Sequence, residues 1–499
     1  MGIIIRQSVK TTLVNFIGVG IAAISTLFIY PLFPDIYGFA QFLVGTAALF
    51  VPFASIGLVS TIIKFFPKFQ TSDHSNQGML SMLLLGFIFL FGIFLIVFLG
   101  FRGPLLGVLR DIGVDSKSML PTYLLVILII TAAIIFRDIL IAYSTSNKRI
   151  VVPQIISQLG IKIFMPIAVL TFGFYGWAKM DFAYSLIAFF IVVGLLLVVY
   201  LRYLGVFKLG KPNWAFLQNH DRKEIFDYGI FSSFNQLGVG LAFRIDAVMI
   251  PMLLSFSSGG IYAMMLFLSN VIDIPARAVR SIAAPIISES WNGGDKEEIS
   301  TIYKKSALNL VIPGIAILLL IWFSFDSIAS ISSDPSKLMA GKYVFLFLGI
   351  GKLFDLFTSV NDQIIVYSPK YKYNLIFILI LGVINVVLNY YLIKKYGITG
   401  AAIASCIAYL IYNSIKLLFI QVSYKMNPFT PELFKVVIVG VLIAGLMYIL
   451  PVINFSLIEI VKNAAVIGLI YFPVIYILNI SPDFNKLCNI VINKIKSIV

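Results

Sequence analysis

Charge is what this chain has least of. Only 12% of its 499 residues are Asp, Glu, Lys or Arg, about half the share of a soluble domain. Cysteine is nearly missing: Cys406 lies in an apolar run and Cys488 near the end, which excludes a disulfide framework and a thiolate metal site. The two histidines, His74 and His220, stand in separate polar stretches without neighbouring ligands. No Walker A sequence, HExxH or GxSxG occurs, so the chain has no motif for nucleotide hydrolysis, zinc proteolysis or serine hydrolysis. No cofactor is expected, and the chain does not read as an enzyme.

What fills the chain instead is apolar: 60% of residues are hydrophobic and the mean hydropathy is +1.00. A membrane helix needs about 20 mostly apolar residues to cross about 30 Å of hydrocarbon. Long apolar runs between polar breaks predict about fourteen spans, roughly at 11–33, 40–63, 78–101, 121–144, 152–175, 183–205, 228–253, 259–284, 308–327, 343–367, 374–393, 400–422, 435–453 and 459–478. The first span reads as an uncleaved helix, because no small-residue cleavage pattern follows it. The fold class is an all-α polytopic membrane protein with the bilayer as its first partner.

The net charge of +15 is then a matter of topology. With the N-terminus inside, inner segments carry twenty Lys and Arg, outer segments eight. By the positive-inside rule both termini are expected in the cytoplasm. No basic domain is left for nucleic acid.

The sequence also repeats. Asn15-Phe-Ile-Gly18-Val-Gly20 resembles Asn235-Gln-Leu-Gly238-Val-Gly240, and Gly38, Lys148 and Tyr175 find counterparts in Gly260, Lys370 and Tyr396, all at offsets close to 220. Two six-helix lobes are expected, 1–210 and 211–425, followed by two extra spans and a tail over 426–499. An even number of spans per lobe gives both the same orientation, related by a pseudo-two-fold along the membrane normal. Parallel repeats of this kind are common in transporters, with the path between them.

Ionisable groups inside a bilayer cost about 2.5–3.5 kcal/mol each on the insertion scale and face cavities or partners. Lys162 and Lys352 fall near the middle of their spans and are the first candidates for a cationic lining. A local pair with Asp355 at i,i+3 is the alternative for Lys352. Arg244 and Asp246 lie in the seventh span at i,i+2, so they cannot pair within one helix. Arg244 joins the binding candidates, and Asp246 is a lumen or inter-helix group. Asp273, Arg137, Asp138 and Asp362 lie near inner ends, with Asp138 and Asp362 in equivalent places of the two lobes; with Asp355 they are candidate lumen or gating charges, and snorkelling accounts for Asp138 and Asp362 equally well. Asp273 and Arg277 form an i,i+4 pair. Snorkelling to the interface accounts for Arg277, Arg280 and Lys416. Pro52, Pro166, Pro251, Pro313 and Pro473 mark candidate kinks.

Several stretches carry a family resemblance. They are Arg244-Ile-Asp246-Ala-Val, Gly260-Ile-Tyr262-Ala, Ile274-Pro275-Ala-Arg277, Pro285-Ile-Ile-Ser288 and Gly294-Asp-Lys-Glu-Glu. Tyr37-Gly38-Phe-Ala-Gln, Asn147-Lys148-Arg149 and Tyr396-Gly397-Ile-Thr-Gly400 add to them. Together these resemble the polysaccharide-biosynthesis family of lipid-linked oligosaccharide (O-antigen type) flippases, within the multidrug/oligosaccharidyl-lipid/polysaccharide exporter superfamily. The resemblance covers most of residues 1–425. It implies two six-helix lobes around a cavity and two additional helices. It also implies alternating-access movement of undecaprenyl-pyrophosphate-linked oligosaccharide from the inner to the outer leaflet of a bacterial cytoplasmic membrane, for surface polysaccharide such as O-antigen or lipopolysaccharide. H⁺ or Na⁺ is the candidate coupling ion, and polysaccharide polymerase or assembly proteins are candidate partners. A lipid II flippase and an ion-coupled drug antiporter remain alternatives within the superfamily. A membrane glycan polymerase or ligase is the alternative outside it, weakened by the shortness of every outer loop.

Overall fold

The computed structural model describes residues 2–71, 76–111, 120–213 and 222–496; His74 and His220 lie outside the described residues. Within these the chain is helical, in the order α1 (Gly2–Phe28), α2 (Pro34–Ser55), α3 (Leu58–Phe69), α4 (Met79–Asp111), α5 (Leu120–Ser146), α6 (Val151–Tyr175) and α7 (Lys179–Tyr203). There follow α8 (Arg222–Phe243), α9 (Asp246–Leu253), α10 (Phe256–Asn270), α11 (Ile274–Gly293), α12 (Lys296–Phe323), α13 (Phe325–Ile331) and α14 (Pro335–Met339). The last are α15 (Lys342–Thr358), α16 (Asn361–Tyr367), α17 (Lys372–Tyr424), α18 (Pro431–Ile449), α19 (Ser456–Ile477) and α20 (Pro482–Lys496).

Ten helices among the described residues are long and apolar enough to cross a membrane, or up to 13 when three sharply bent pairs count as one span each. The 53-residue α17 is itself two spans. A straight helix of that length would reach about 80 Å, yet Lys370 Nζ donates to Ser423 Oγ at 3.2 Å and the Phe377 and Phe419 rings lie 5.2 Å apart. The chain turns back at Gly397, whose φ of 61° and ψ of −141° interrupt the helix. The about fourteen spans expected from hydropathy are thereby accounted for.

The chain divides into two compact units, Met1–Gly260 and Ile261–Val499. In the first, α2 is the central element, packed on α5, α8 and α9. Phe39 and Phe42 on α2 are fully buried and meet the Phe256 ring edge-on or tilted. Gly38 on α2 and Gly260 on α10 stand at the tightest crossing: a methyl at Gly38 would run into the Phe256 carbonyl, and one at Gly260 into the Pro34 carbonyl. These are backbone atoms and cannot swing aside, so glycine is required at both positions that the sequence repeat aligns. Helices α1 and α4 are mostly unburied and turn apolar faces outward, as a lipid-facing surface does.

In the second unit α12 is central, packed on α11, α15 and α18. The appended α19 is fixed to it by Tyr471, whose hydroxyl donates to the Ile312 carbonyl at 2.9 Å, and by Asn463, whose amide donates to Ser324 Oγ at 3.1 Å.

The sharp bends are not at the prolines singled out in the sequence. They lie between α8 and α9 (49°), α10 and α11 (55°), and α15 and α16 (51°). Pro52, Pro166, Pro251 and Pro313 stay inside their helices. The breaks fall instead on short non-helical linkers, and in the last of them Ser359 is forced to φ 47°. Such a backbone persists only where its surroundings hold it.

Candidate functional site

Each unit carries its own group of charges inside the spans, and the two are built differently.

In the first unit, Arg244 occupies the break between α8 and α9 and is exposed. It lies within electrostatic reach of Asp138 on α5, which also takes Arg137 at 2.7 Å. Asp246 begins α9 and is buried, 6% exposed. The break explains why i,i+2 neighbours part so completely: Arg244 is outside any helix, while Asp246 is already in the next. Arg137 also lies over the Phe190 ring at 5.6 Å.

Lys162 sits on a different helix pair. It follows a π-helical stretch, Ile155–Leu159, in α6. Such one-turn widenings rotate the following residues relative to a regular helix and recur at functional sites. Its side chain is half-buried and runs against Gly18 of α1, where an added Cβ would stand 2.9 Å from Nζ. Gln154 Nε2 donates to Asn15 Oδ1 at 2.9 Å nearby on the same two helices. Gly18 and Asn15 belong to the repeated motif, so part of that motif makes room for a lysine ammonium. The structure thus brings Arg137, Asp138 and Arg244 together and sets Lys162 of α6 against α1.

In the second unit the charges form a closed network. Arg280 on α11 donates from Nη2 to Asp355 Oδ2 at 2.6 Å and from Nε to the Ser359 carbonyl at 3.1 Å, and its Nη1 lies 3.6 Å from Asp273 Oδ1. One guanidinium therefore ties the break before α11, where Asp273 sits, to the break after α15, where Ser359 sits. Asn413 on α17 completes it. Its amide donates to Asp355 Oδ1, and its carbonyl oxygen accepts from Thr358 and Asn361, all at 3.1 Å. Thr358 and Asn361 flank the same break. Lys416, fully buried, donates to Asp362 Oδ1 at 2.8 Å and stands 3.8 Å from the centre of the Tyr412 ring. Tyr412 also donates to Asp362, at 3.3 Å.

Three readings from the sequence are corrected here. Asp273 turns its carboxylate to Arg280 rather than to Arg277, because it lies in the linker before α11 and not within a shared helix; Arg277 is exposed. Arg280 and Lys416 do not snorkel. Both are drawn inward by carboxylates on other helices. Asp355 does not pair with Lys352, since Arg280 and Asn413 take its oxygens. Lys352 instead bonds Tyr409 and stands 5.2 Å from that ring's centre, with Asp273 and Asp355 in electrostatic range.

Sequence reasoning missed Arg280 as a centre, and Asn413, Thr358, Asn361 and Tyr412 altogether. The signal was present in Asn361 and Asn413, amides in otherwise apolar runs, since a buried amide needs partners. Their partners lie more than 50 residues away and leave no local pattern.

The family model for polysaccharide biosynthesis proteins matches residues 6–291. The chain belongs to that family. The match spans nearly all of the first unit and continues through α11. The uncharacterized membrane protein EpsK of Bacillus subtilis is 30% identical over 207 residues, 39% of this chain and 38% of that protein's length. The uncharacterized membrane protein MJ1068 of Methanocaldococcus jannaschii is 22% identical over 87% of this chain and 86% of its own. Among solved structures, the lipid II flippase MurJ in an inward closed conformation superposes with a TM-score of 0.67 at 16% identity, covering 95% of this chain and 99% of that one. An inward-facing multidrug resistance MATE transporter of the MOP superfamily superposes at 0.59 and 15% identity, covering 83% and 94%. The chain is therefore a multi-pass membrane protein of a polysaccharide biosynthesis family, with the fold of a lipid flippase and of multidrug exporters.

Proposed function

We propose that this protein is a flippase that moves lipid-linked oligosaccharide, carried on undecaprenyl pyrophosphate, from the inner to the outer leaflet by alternating access. The observation that carries the reading is the polysaccharide-biosynthesis family match over the unit whose bent span holds Arg244 at its break. A pyrophosphate is a compact dianion or trianion. Cations in a low-dielectric setting attract it far more strongly than they would in water. Arg244, at the break after α8, and Lys162 on α6 supply such cations, with Arg137 on α5 held by Asp138. A guanidinium can also take phosphate oxygens two at a time. The isoprenoid tail stays in lipid while the head and glycan pass along the protein, so no covalent step is required and the protein acts as a carrier, not an enzyme.

The closed network of the second unit fits a different task. Alternating access needs elements with two discrete arrangements. Two broken spans joined by Arg280 are such an element, and Asp138 and Asp362 stand near the ends that would open and close. A proton or sodium gradient is the proposed drive. In this reading both termini lie on the cytoplasmic side of a bacterial inner membrane, as the excess of Lys and Arg in the inner segments supports, and a polysaccharide polymerase is the proposed consumer of the product.

The test is made in a strain lacking this protein. Lipid-linked oligosaccharide is extracted, and its exposure to an impermeant glycan probe is compared with that of the parent. Accumulation of full-length, probe-shielded lipid-linked glycan is expected. Unchanged exposure, with no second exporter present, overturns the reading. The MurJ-like fold favours lipid II as the second substrate to try; restoring growth to cells depleted of their lipid II flippase would select it over the oligosaccharide.

A further inference from the structure

The last helix belongs to neither charge group. Helix α20 has 15 residues, about 22 Å of helix, too short for a bilayer core of about 30 Å, and it is not among the candidate spans. It is two-faced. On its helical register Phe484, Leu487 and Cys488 share one side, Asn485, Asn489 and Asn493 the other, and Lys486 and Ile490 lie on the flank between Asn493 and Leu487. Only part of the apolar surface meets protein: Phe484 stacks on Phe472 of α19, while Leu487 and Ile490 are each 63% exposed.

Its position is fixed. The linker from α19 is four residues long and includes Asn479 at φ 52°. Tyr476 donates from its hydroxyl to Asn489 at 2.7 Å, and Asn485 donates to the Tyr476 carbonyl at 3.2 Å. At the start of α20, Asn309 of α12 donates to Asp483 at 3.0 Å and accepts from Ser481 at 2.7 Å. One turn before Asn309, α12 carries the exposed Lys304 and Lys305. A helix leashed to the end of a span cannot leave the bilayer boundary. Its exposed leucine and isoleucine then meet either water or acyl chains, and burial in acyl chains is favoured by about 25 cal/mol per Å² of apolar surface.

We infer that α20 lies in the plane of the membrane interface, sinking Leu487 and Ile490 into the acyl boundary and binding the headgroups of anionic lipids through Lys486 and the neighbouring Lys304 and Lys305. The chemistry is that of a basic interfacial helix, each lysine worth about 1 kcal/mol near an anionic surface. The inference is independent of what the protein transports.

The experiment uses the full chain with Cys406→Ser and Cys488→Ser. An environment-sensitive fluorophore is attached at Leu487→Cys or, for the polar side, at Asn493→Cys. The protein is reconstituted into vesicles of phosphatidylcholine alone or mixed with phosphatidylglycerol. At 487 the label should be quenched by shallow spin-labelled lipid and shielded from iodide, with the reverse at 493. Energy transfer to labelled phosphatidylglycerol should fall about fivefold per lysine removed, the equivalent of about 1 kcal/mol, in the Lys486→Glu variant. Three outcomes overturn the inference. The first is iodide access at 487. The second is shielding from both quenchers, which would mean a protein partner or second copy covers the helix. The third is phosphatidylglycerol enrichment unchanged by Lys486→Glu. Co-elution of each variant with the parent on size exclusion keeps a folding defect from counting as any of the three.

Discussion

The two units hold similar charges in dissimilar ways. In the first, Arg244 is exposed in a helix break and Lys162 is half-buried beside a glycine. In the second, Arg280 meets two carboxylates and a backbone carbonyl, and Lys416 is fully buried against Asp362. For Arg244 and Arg280 the difference is how closely a counter-charge is held: Asp138 is only within electrostatic reach of Arg244, whereas Asp355 accepts from Arg280 at 2.6 Å. A cation already surrounded by carboxylates of its own chain is neutralised and has little left for a ligand. A cation left at a solvated break keeps its field for whatever enters. The first arrangement suits recognition of an anion, the second suits holding a backbone geometry.

If that is right, Arg280 carries the largest stability effect in the molecule's charged set. Arg280→Met takes from Asp355 its hydrogen-bonded cation and from Asp273 its ion-pair partner, with Lys352 still in electrostatic range of both, and frees the carbonyl of the strained Ser359. Breaking a buried pair by removing one partner costs about 3–5 kcal/mol, and the upper end is expected here because two carboxylates are affected. Thermal unfolding in detergent measures it. Arg244→Gln, in the same assay, should change stability by no more than about 0.5 kcal/mol while reducing glycan export. Equal melting temperatures for Arg280→Met and the parent would break the comparison.

Asp362→Asn comes next, near the lower end of the same range, because Asp362 is itself partly exposed. It strands the ammonium of Lys416. Adding Lys416→Met should restore most of the loss, since an apolar replacement of a buried pair is often neutral or better. A double variant as unstable as the single one would show that Lys416 is held by Tyr412 and not by the carboxylate.

In the first unit, Lys162→Gln removes a charge of the proposed binding set; a charge-assisted contact to the anionic head is worth about 1.5–3 kcal/mol, a loss of roughly 10- to 100-fold in affinity. Gly18→Val reaches the same residue indirectly, by pushing the Lys162 side chain off α1. Export measured by the impermeant probe should fall in both, with the melting temperature nearly unchanged. Normal export in Gly18→Val alone would mean that the ammonium acts from a different position than the one it occupies here.

What the sequence made legible follows from what is local. Spans are long apolar runs, and they emerged at nearly the right number. The Gly38 and Gly260 match was visible as a repeat, although only the structure explains it, through backbone carbonyls that leave no space for a side chain. The intramembrane charges were legible as individuals. Their pairing was not, because Arg280 and Asp355 are 75 residues apart and Lys416 and Asp362 are 54 apart, and helical spacing speaks only of neighbours three or four positions away. The breaks were illegible for a related reason. A proline announces itself in sequence, whereas the backbone at Ser359 is held by Arg280 and Asn413 from other helices.

Lys352 is where the comparison is sharpest, and its effect is the smallest. By depth it belongs with Lys162 as a cavity cation; by location it belongs to the closed unit. It stands over Tyr409 with Asp273 and Asp355 in range, but Arg280 takes both carboxylates more directly. A cation over an aromatic ring is worth about 0.5–2 kcal/mol, so Lys352→Gln should lower stability by about 1 kcal/mol or less. If export then stays normal, Lys352 joins Arg280 and Lys416 as a structural cation of the network. If export collapses while the melting temperature holds, Lys352 acts on the anionic substrate from inside a closed network.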